Sequence, residues 1–84
     1  MLSMSNSVPN ITLYKFDSCP FCQVVMKYIQ ARNLSIETKD TLMNPANKAE
    51  LIQIGGKGQV PCLVINGNAL YESQDIISWL ETNA

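Results

Sequence analysis

Apolar positions along the chain change their period several times, and each change marks an element. Ile11 to Phe16 is a short run of β-branched and aromatic residues, which predicts a first strand. From Cys22 to Arg32, Val25, Met26 and Ile29 recur at helical spacing while Lys27, Gln30 and Arg32 fall on other faces, so a helix is expected there, with Asn33 as its stop. Ser35 to Lys39 is a weaker strand signal. Asn44-Pro45 then pairs a good N-cap with the residue favoured at the first helical position. The helix it starts passes through Ala49, Leu51 and Ile52 and ends at Gly55-Gly56, where a positive φ costs little. Val60 to Ile65 reads as a third strand, and Asn66-Gly67 is a two-residue hairpin signal leading to a fourth, Asn68 to Tyr71. Ser73 to Glu81 closes the pattern as a helix with Ile76, Ile77 and Leu80 on one side and Ser73 as its expected N-cap.

The order β-α-β-α-β-β-α predicts an α/β fold. A parallel β-α-β unit joined to an antiparallel hairpin gives a four-stranded mixed sheet with helices on both faces. Residues 1–9 show neither a basic segment nor an apolar one and are expected to form a flexible leader, with 10–84 as a single domain. The full 84 residues suffice for one small core.

Composition narrows the function mostly by exclusion. Hydrophobic residues make up 46% and charged ones 15%, which is a globular balance, and the net charge of −1 gives no reason to expect a nucleic-acid or membrane partner. There is no histidine, so the usual general base of hydrolase triads and the Cys/His zinc sites are excluded. Three cysteines, an odd number, suit a reducing compartment better than a disulfide-stapled secreted scaffold, and a cytoplasmic location is expected.

Covalent chemistry is signalled at one place, Cys19-Pro20-Phe21-Cys22, between the first strand and the first helix. Two thiols at this spacing can close a small disulfide. If the helix begins at the motif, Cys19 sits where unpaired N–H groups and the positive end of the helix dipole favour an anion, which makes it the expected attacking thiolate. Cys22, about one turn later, is the expected resolving thiol. A zinc half-site would need two further ligands; Cys62 offers one and no fourth is evident.

The run from Leu13-Tyr14 through Cys19-Pro20-Phe21-Cys22, followed by Gln59-Val60-Pro61 and by Glu72-Ser73 with Asp75-Ile76 and a closing apolar helix, resembles the glutaredoxin family of the thioredoxin fold. The likeness covers nearly the whole chain from Ile11 onward. The form of its last two motifs is similar to the glutaredoxins that look like glutathione transferases. Those carry an extra helical domain, for which this chain ends too early. The resemblance implies a monomeric glutathione-dependent oxidoreductase that reduces protein disulfides and glutathionylated proteins, with glutathione as reductant and no metal.

The resemblance also implies a docking site for glutathione. A cis Val60–Pro61 bond would face the cysteine pair and leave the Val60 backbone to pair with the extended tripeptide. Phe21 would form an apolar lip, and Ser73 at a helix N-terminus would take the γ-glutamyl carboxylate while Glu72 or Asp75 meets its ammonium. For the glycyl carboxylate the chain departs from the pattern: many small glutaredoxins have Lys three residues before the first Cys, where Phe16 stands here. Lys15 and Lys57 are the candidate cations, with Gln59 as a hydrogen-bond donor. Cys62 is expected to be buried and inert. Two other readings stay open, an iron–sulfur cluster protein assisted by glutathione and a thioredoxin-type reductase.

Overall fold

The strand that opens the fold, β1 (Ile11–Lys15), sends alternate side chains to opposite faces of the sheet, and that alternation sorts the core into two layers. The computed structural model describes residues 10–83; the expected leader at 1–9 lies outside them. After β1 come α1 (Pro20–Ala31), β2 (Glu37–Asp40), α2 (Pro45–Gly55), β3 (Cys62–Ile65), β4 (Asn68–Leu70) and α3 (Ser73–Asn83). The sheet order is β2-β1-β3-β4, with β1 and β2 parallel and the β1–β3 and β3–β4 pairs antiparallel. This is the mixed four-stranded architecture expected from the order of elements, and it has the thioredoxin-like form that the family resemblance implies.

One layer gathers Ile11, Leu13 and Leu63 from the sheet with Val25 and Ile29 of α1 and Ile76 and Leu80 of α3. The other sets Tyr14, Cys62 and Val64 against Leu51 of α2. Leu13 and Tyr14 are neighbours in sequence yet belong to different layers, as the two-residue strand period demands. Each fully buried Leu or Ile contributes about 1.5–3 kcal/mol, so the central β1–β3 pair carries much of the stability.

Caps set most of the boundaries. Asn44 accepts from the Ala46 N–H at 3.1 Å, with Pro45 at the first helical position, and Gly56 closes α2 at φ 89°. The end of α1 is a Schellman turn: Asn33, at φ 60°, donates to the Gln30 carbonyl, and Leu34 donates to that of Ile29 while packing against the same core. Completing that turn consumes Leu34, and β2 begins at Glu37 instead of Ser35. Asn66 and Gly67, at φ 50° and 86°, form the expected hairpin turn.

Four other boundaries move for identifiable reasons. β1 stops at Lys15, because the Phe16 carbonyl turns to accept the Cys19 N–H at 3.2 Å. β3 starts at Cys62, since Pro61 has no N–H to give a ladder. Tyr71 lies beyond β4, whose last pair is Leu63 with Leu70. Ser73 proves to be the first helical residue and not the N-cap: the Ile76 N–H bonds to the Glu72 carbonyl, which puts Glu72 at the capping position.

Candidate active site

Cys19 is the N-cap of α1. Its backbone is extended (φ −80°, ψ 118°), Pro20 follows at the first helical position, and its Sγ accepts from the Cys22 N–H at 3.3 Å. The Gln23 N–H bonds to the Cys19 carbonyl at 3.0 Å, which locks the turn. A cysteine therefore occupies the role that Ser or Asp fills in other helices, and charge developing on its sulfur meets an N–H and the positive end of the helix. The thiol also lies 4.0 Å from the Val60 carbonyl, across the cis Val60–Pro61 bond.

Cys22 occupies the inner face of α1 and is 1% exposed. Burial, and secondarily its hydrogen bond with Cys19, pushes its thiol up to about 12, against the opposing pull of the Phe16 backbone and of Lys15. Cys62 is wholly buried in the α2 layer, and burial raises it to about 11. All three cysteines are free.

Beside Cys19 opens a cleft of about 320 Å³ lined by Phe21, Gln59, Val60, Pro61, Tyr71, Glu72 and Ser73. Its volume is at the lower end of the range for small-molecule sites. The fold brings the walls together from three separated segments: the first turn of α1, the loop between α2 and β3, and the start of α3. Six of the seven lining residues are ones the sequence motifs select. At the end of the cleft formed by α3, the backbone N–H groups of Ser73, Gln74 and Asp75 precede the first helical bond and so have no partner within the helix.

Tyr71 is the lining residue that motif reading misses. Its hydroxyl donates to the Lys57 carbonyl at 2.9 Å, and the Lys57 ammonium stands 4.6 Å from its ring centroid. Tyr71 thereby ties the loop that carries Lys57 and Gln59 to the strand end that carries Glu72. Its signal in the sequence is an aromatic residue directly ahead of Glu72-Ser73. A Cβ at Gly55 would overlap the Tyr71 hydroxyl, so the bare glycine at the end of α2 makes room for this contact.

The two candidate lysines part company. Lys57 borders the cleft through Tyr71. Lys15 does not line it: its ammonium is held by Asp17 at 2.7 Å and Asp40 at 3.7 Å, and its side chain is 13% exposed. These contacts keep it charged, the Asp17 hydrogen bond most of all. With Ile11 and Leu13 facing α1 and α3, strand alternation turns Lys15 to that same inner face, away from a solvent ligand.

The sequence pattern of the family described as "Glutathione S-transferase, N-terminal domain" matches residues 13–84. Among curated proteins the chain is similar to prostaglandin E synthase 2 from Danio rerio, with 36% identity over 73 residues, covering 86% of this chain and 19% of the relative. It spans about a fifth of that relative's length. Among solved structures it superposes on a thioredoxin-like protein with TM-score 0.74 at 24% identity, covering 88% of this chain and 99% of the other. A glutaredoxin from Archaeoglobus fulgidus gives TM-score 0.70 at 13% identity and 86% coverage of both chains. At these identities the two structures establish a shared fold.

Proposed function

Because the chain belongs to the family of glutathione S-transferase N-terminal domains, we propose that it binds glutathione in this cleft and uses it for thiol–disulfide exchange at Cys19, the reaction of a glutaredoxin. The observation that carries the reading is a reduced, helix-capping thiol beside a cleft that also contains a helix N-terminus. A transferase acting on electrophiles needs no second thiol, whereas Cys22 sits three residues on with its N–H already bonded to the Cys19 sulfur.

In this reading the tripeptide lies extended along Val60, whose backbone precedes the β3 ladder and pairs with the cysteinyl residue. The γ-glutamyl carboxylate docks on the N–H and hydroxyl of Ser73 at the N-terminus of α3, and Glu72 meets the ammonium. Gln59 and Lys57 take the glycyl carboxylate. Phe21, 65% exposed at the rim, covers the sulfur.

The chemistry is an exchange of sulfur partners. The Cys19 thiolate attacks the glutathione sulfur of a glutathionylated protein, the mixed disulfide breaks, and the protein leaves as a thiolate that takes a proton. Cys19 now carries glutathione. A second glutathione thiolate displaces it as oxidised glutathione, or Cys22 displaces it by forming the Cys19–Cys22 disulfide, which two further glutathiones reduce. Protein disulfides follow the second route and need both cysteines. Reduced glutathione must be present for turnover, so the cytoplasm is the proposed setting, with the protein acting as a monomer.

The test is turnover of a glutathionylated substrate with glutathione, glutathione reductase and NADPH. Cys19→Ser is expected to abolish it, while Cys22→Ser keeps activity on glutathionylated substrates and loses it on protein disulfides. No turnover by the wild-type protein, or activity surviving in Cys19→Ser, overturns the assignment. Conjugation of glutathione to 1-chloro-2,4-dinitrobenzene without disulfide turnover would assign the site to a transferase.

A further inference from the structure

Two rows of residues meet under α1. On β1 the positions facing that helix are Ile11, Leu13 and then Lys15; on α1 the buried positions, read back toward its start, are Ile29, Val25 and then Cys22. Ile11, Leu13, Val25 and Ile29 form one apolar layer, and at the end of both rows the chemistry changes: the strand presents an ammonium and the helix a thiol. The helix starts just beyond the strand's C-terminal end, so the row on β1 runs out at Lys15 toward the first turn of α1, whose buried face carries Cys22, and the Lys15 charge is felt at that thiol. The backbone of Phe16, the residue after Lys15, works against the burial of the Cys22 thiol.

An ammonium 13% exposed at the edge of an apolar layer needs a reason. Its two carboxylates hold it in place: Asp40 is its register partner on β2, and Asp17 follows in the next loop. Strand alternation sets its direction, and Asp40, its register partner, shares that face. We propose that Lys15 is a positioning residue for the resolving half of the reaction, a fixed positive charge beneath Cys22 that stabilises its thiolate while it attacks the disulfide on Cys19. The proposal rests on the thiol–disulfide reading and assigns Lys15 to the protein's own second thiol, leaving the glycyl carboxylate to Lys57.

In the step concerned, Cys22 loses its proton to water and its thiolate attacks the Cys19 sulfur. The Cys19–Cys22 bond forms, the bond from Cys19 to its adduct breaks, and the adduct leaves with the electron pair. The burial that raises the Cys22 thiol opposes this step, and the Lys15 charge works against that burial. The charged and titratable groups that act on Cys22 are Cys19 and Lys15, with Asp17 and Asp40 paired to Lys15; α3 contributes the apolar Ile76 and Leu80 to the layer under α1.

Ellman's reagent tests this without glutathione. Reduced protein releases one thionitrobenzoate when Cys19 attacks and a second when Cys22 resolves the adduct, and a Cys22→Ser control lacks the second phase. Lys15→Gln is expected to slow the second phase about threefold at neutral pH for each unit by which the thiol becomes less acidic, since the lost thiolate is partly offset by higher nucleophilicity. The first phase is unchanged, the variant reaches the wild-type rate only at higher pH, and Lys15→Arg restores most of it. Asp17→Asn, an exposed change that removes an opposing negative charge, is expected to quicken the second phase. Equal second-phase rates and pH profiles in wild type and Lys15→Gln overturn the proposal; should Lys15→Gln not fold, a second phase that Asp17→Asn leaves unchanged or slows overturns it. Wild-type protein that releases both thionitrobenzoates but does not turn over with glutathione refutes the proposed function and leaves this inference standing.

Discussion

Each of the three cysteines takes its character from its position. Cys19, 7% exposed, caps a helix at the side of the cleft, while Cys22 and Cys62 are closed off more completely, at 1% and 0%, and pushed up to about 12 and about 11. A raised thiol stays protonated and unreactive through neutral pH. Brief treatment of the reduced protein with iodoacetamide at pH 7 is therefore expected to place a single label on Cys19, read by peptide mass spectrometry, with Cys22 labelled only as pH approaches its raised value. First labelling at Cys22 or Cys62 would contradict this order. The capping role of Cys19 is legible in Cys-Pro at the start of an apolar helix pattern. That Lys15 turns inward is not, because it depends on which face of β1 the later helices cover.

Among elements, the end of α2 matters most to the cleft. The helix contributes Leu51 to the core, but its last residue, Gly55, is where Tyr71 crosses to reach the Lys57 carbonyl. Gly55→Ala places a methyl against the tyrosine hydroxyl and the Ala69 side chain. Overpacking of this kind costs about 1–3 kcal/mol. Urea unfolding is expected to show that loss. A second effect belongs to function: with Tyr71 displaced, the loop bearing Lys57 and Gln59 loosens, and the KM for glutathione rises more than kcat falls. An unchanged KM would mean that Tyr71 has no part in holding the ligand. Gly55-Gly56 is readable from sequence as a helix end. The need for glycine at position 55 comes from a tyrosine sixteen positions later, a contact no local pattern records.

Across the whole molecule, two apolar layers share one sheet, and damage to either should be independent of the other. Leu51→Ala in the α2 layer is expected to cost about 2–5 kcal/mol and Ile76→Val in the α1/α3 layer about 0.5–1.5 kcal/mol. Measured by urea unfolding, the double variant should equal the sum to within about 0.5 kcal/mol. A large coupling would show that the sheet transmits strain between its faces. Among the described residues, sequence by itself determined the order and type of all seven elements, the hairpin and the turns that close α1 and α2, because caps, prolines, glycines and hydrophobic period act over a few residues. It also selected six of the seven residues around the cleft, since short motifs carry their own chemistry. Tertiary structure decided what depends on distant partners: the joining of three segments into one cleft, the place of Tyr71, and the separation of Lys57 at its edge from Lys15 beneath α1. The physical reason is range. A cap or a turn is satisfied by its neighbours, whereas the direction in which a side chain's charge acts is set only when the sheet and helices have closed around it.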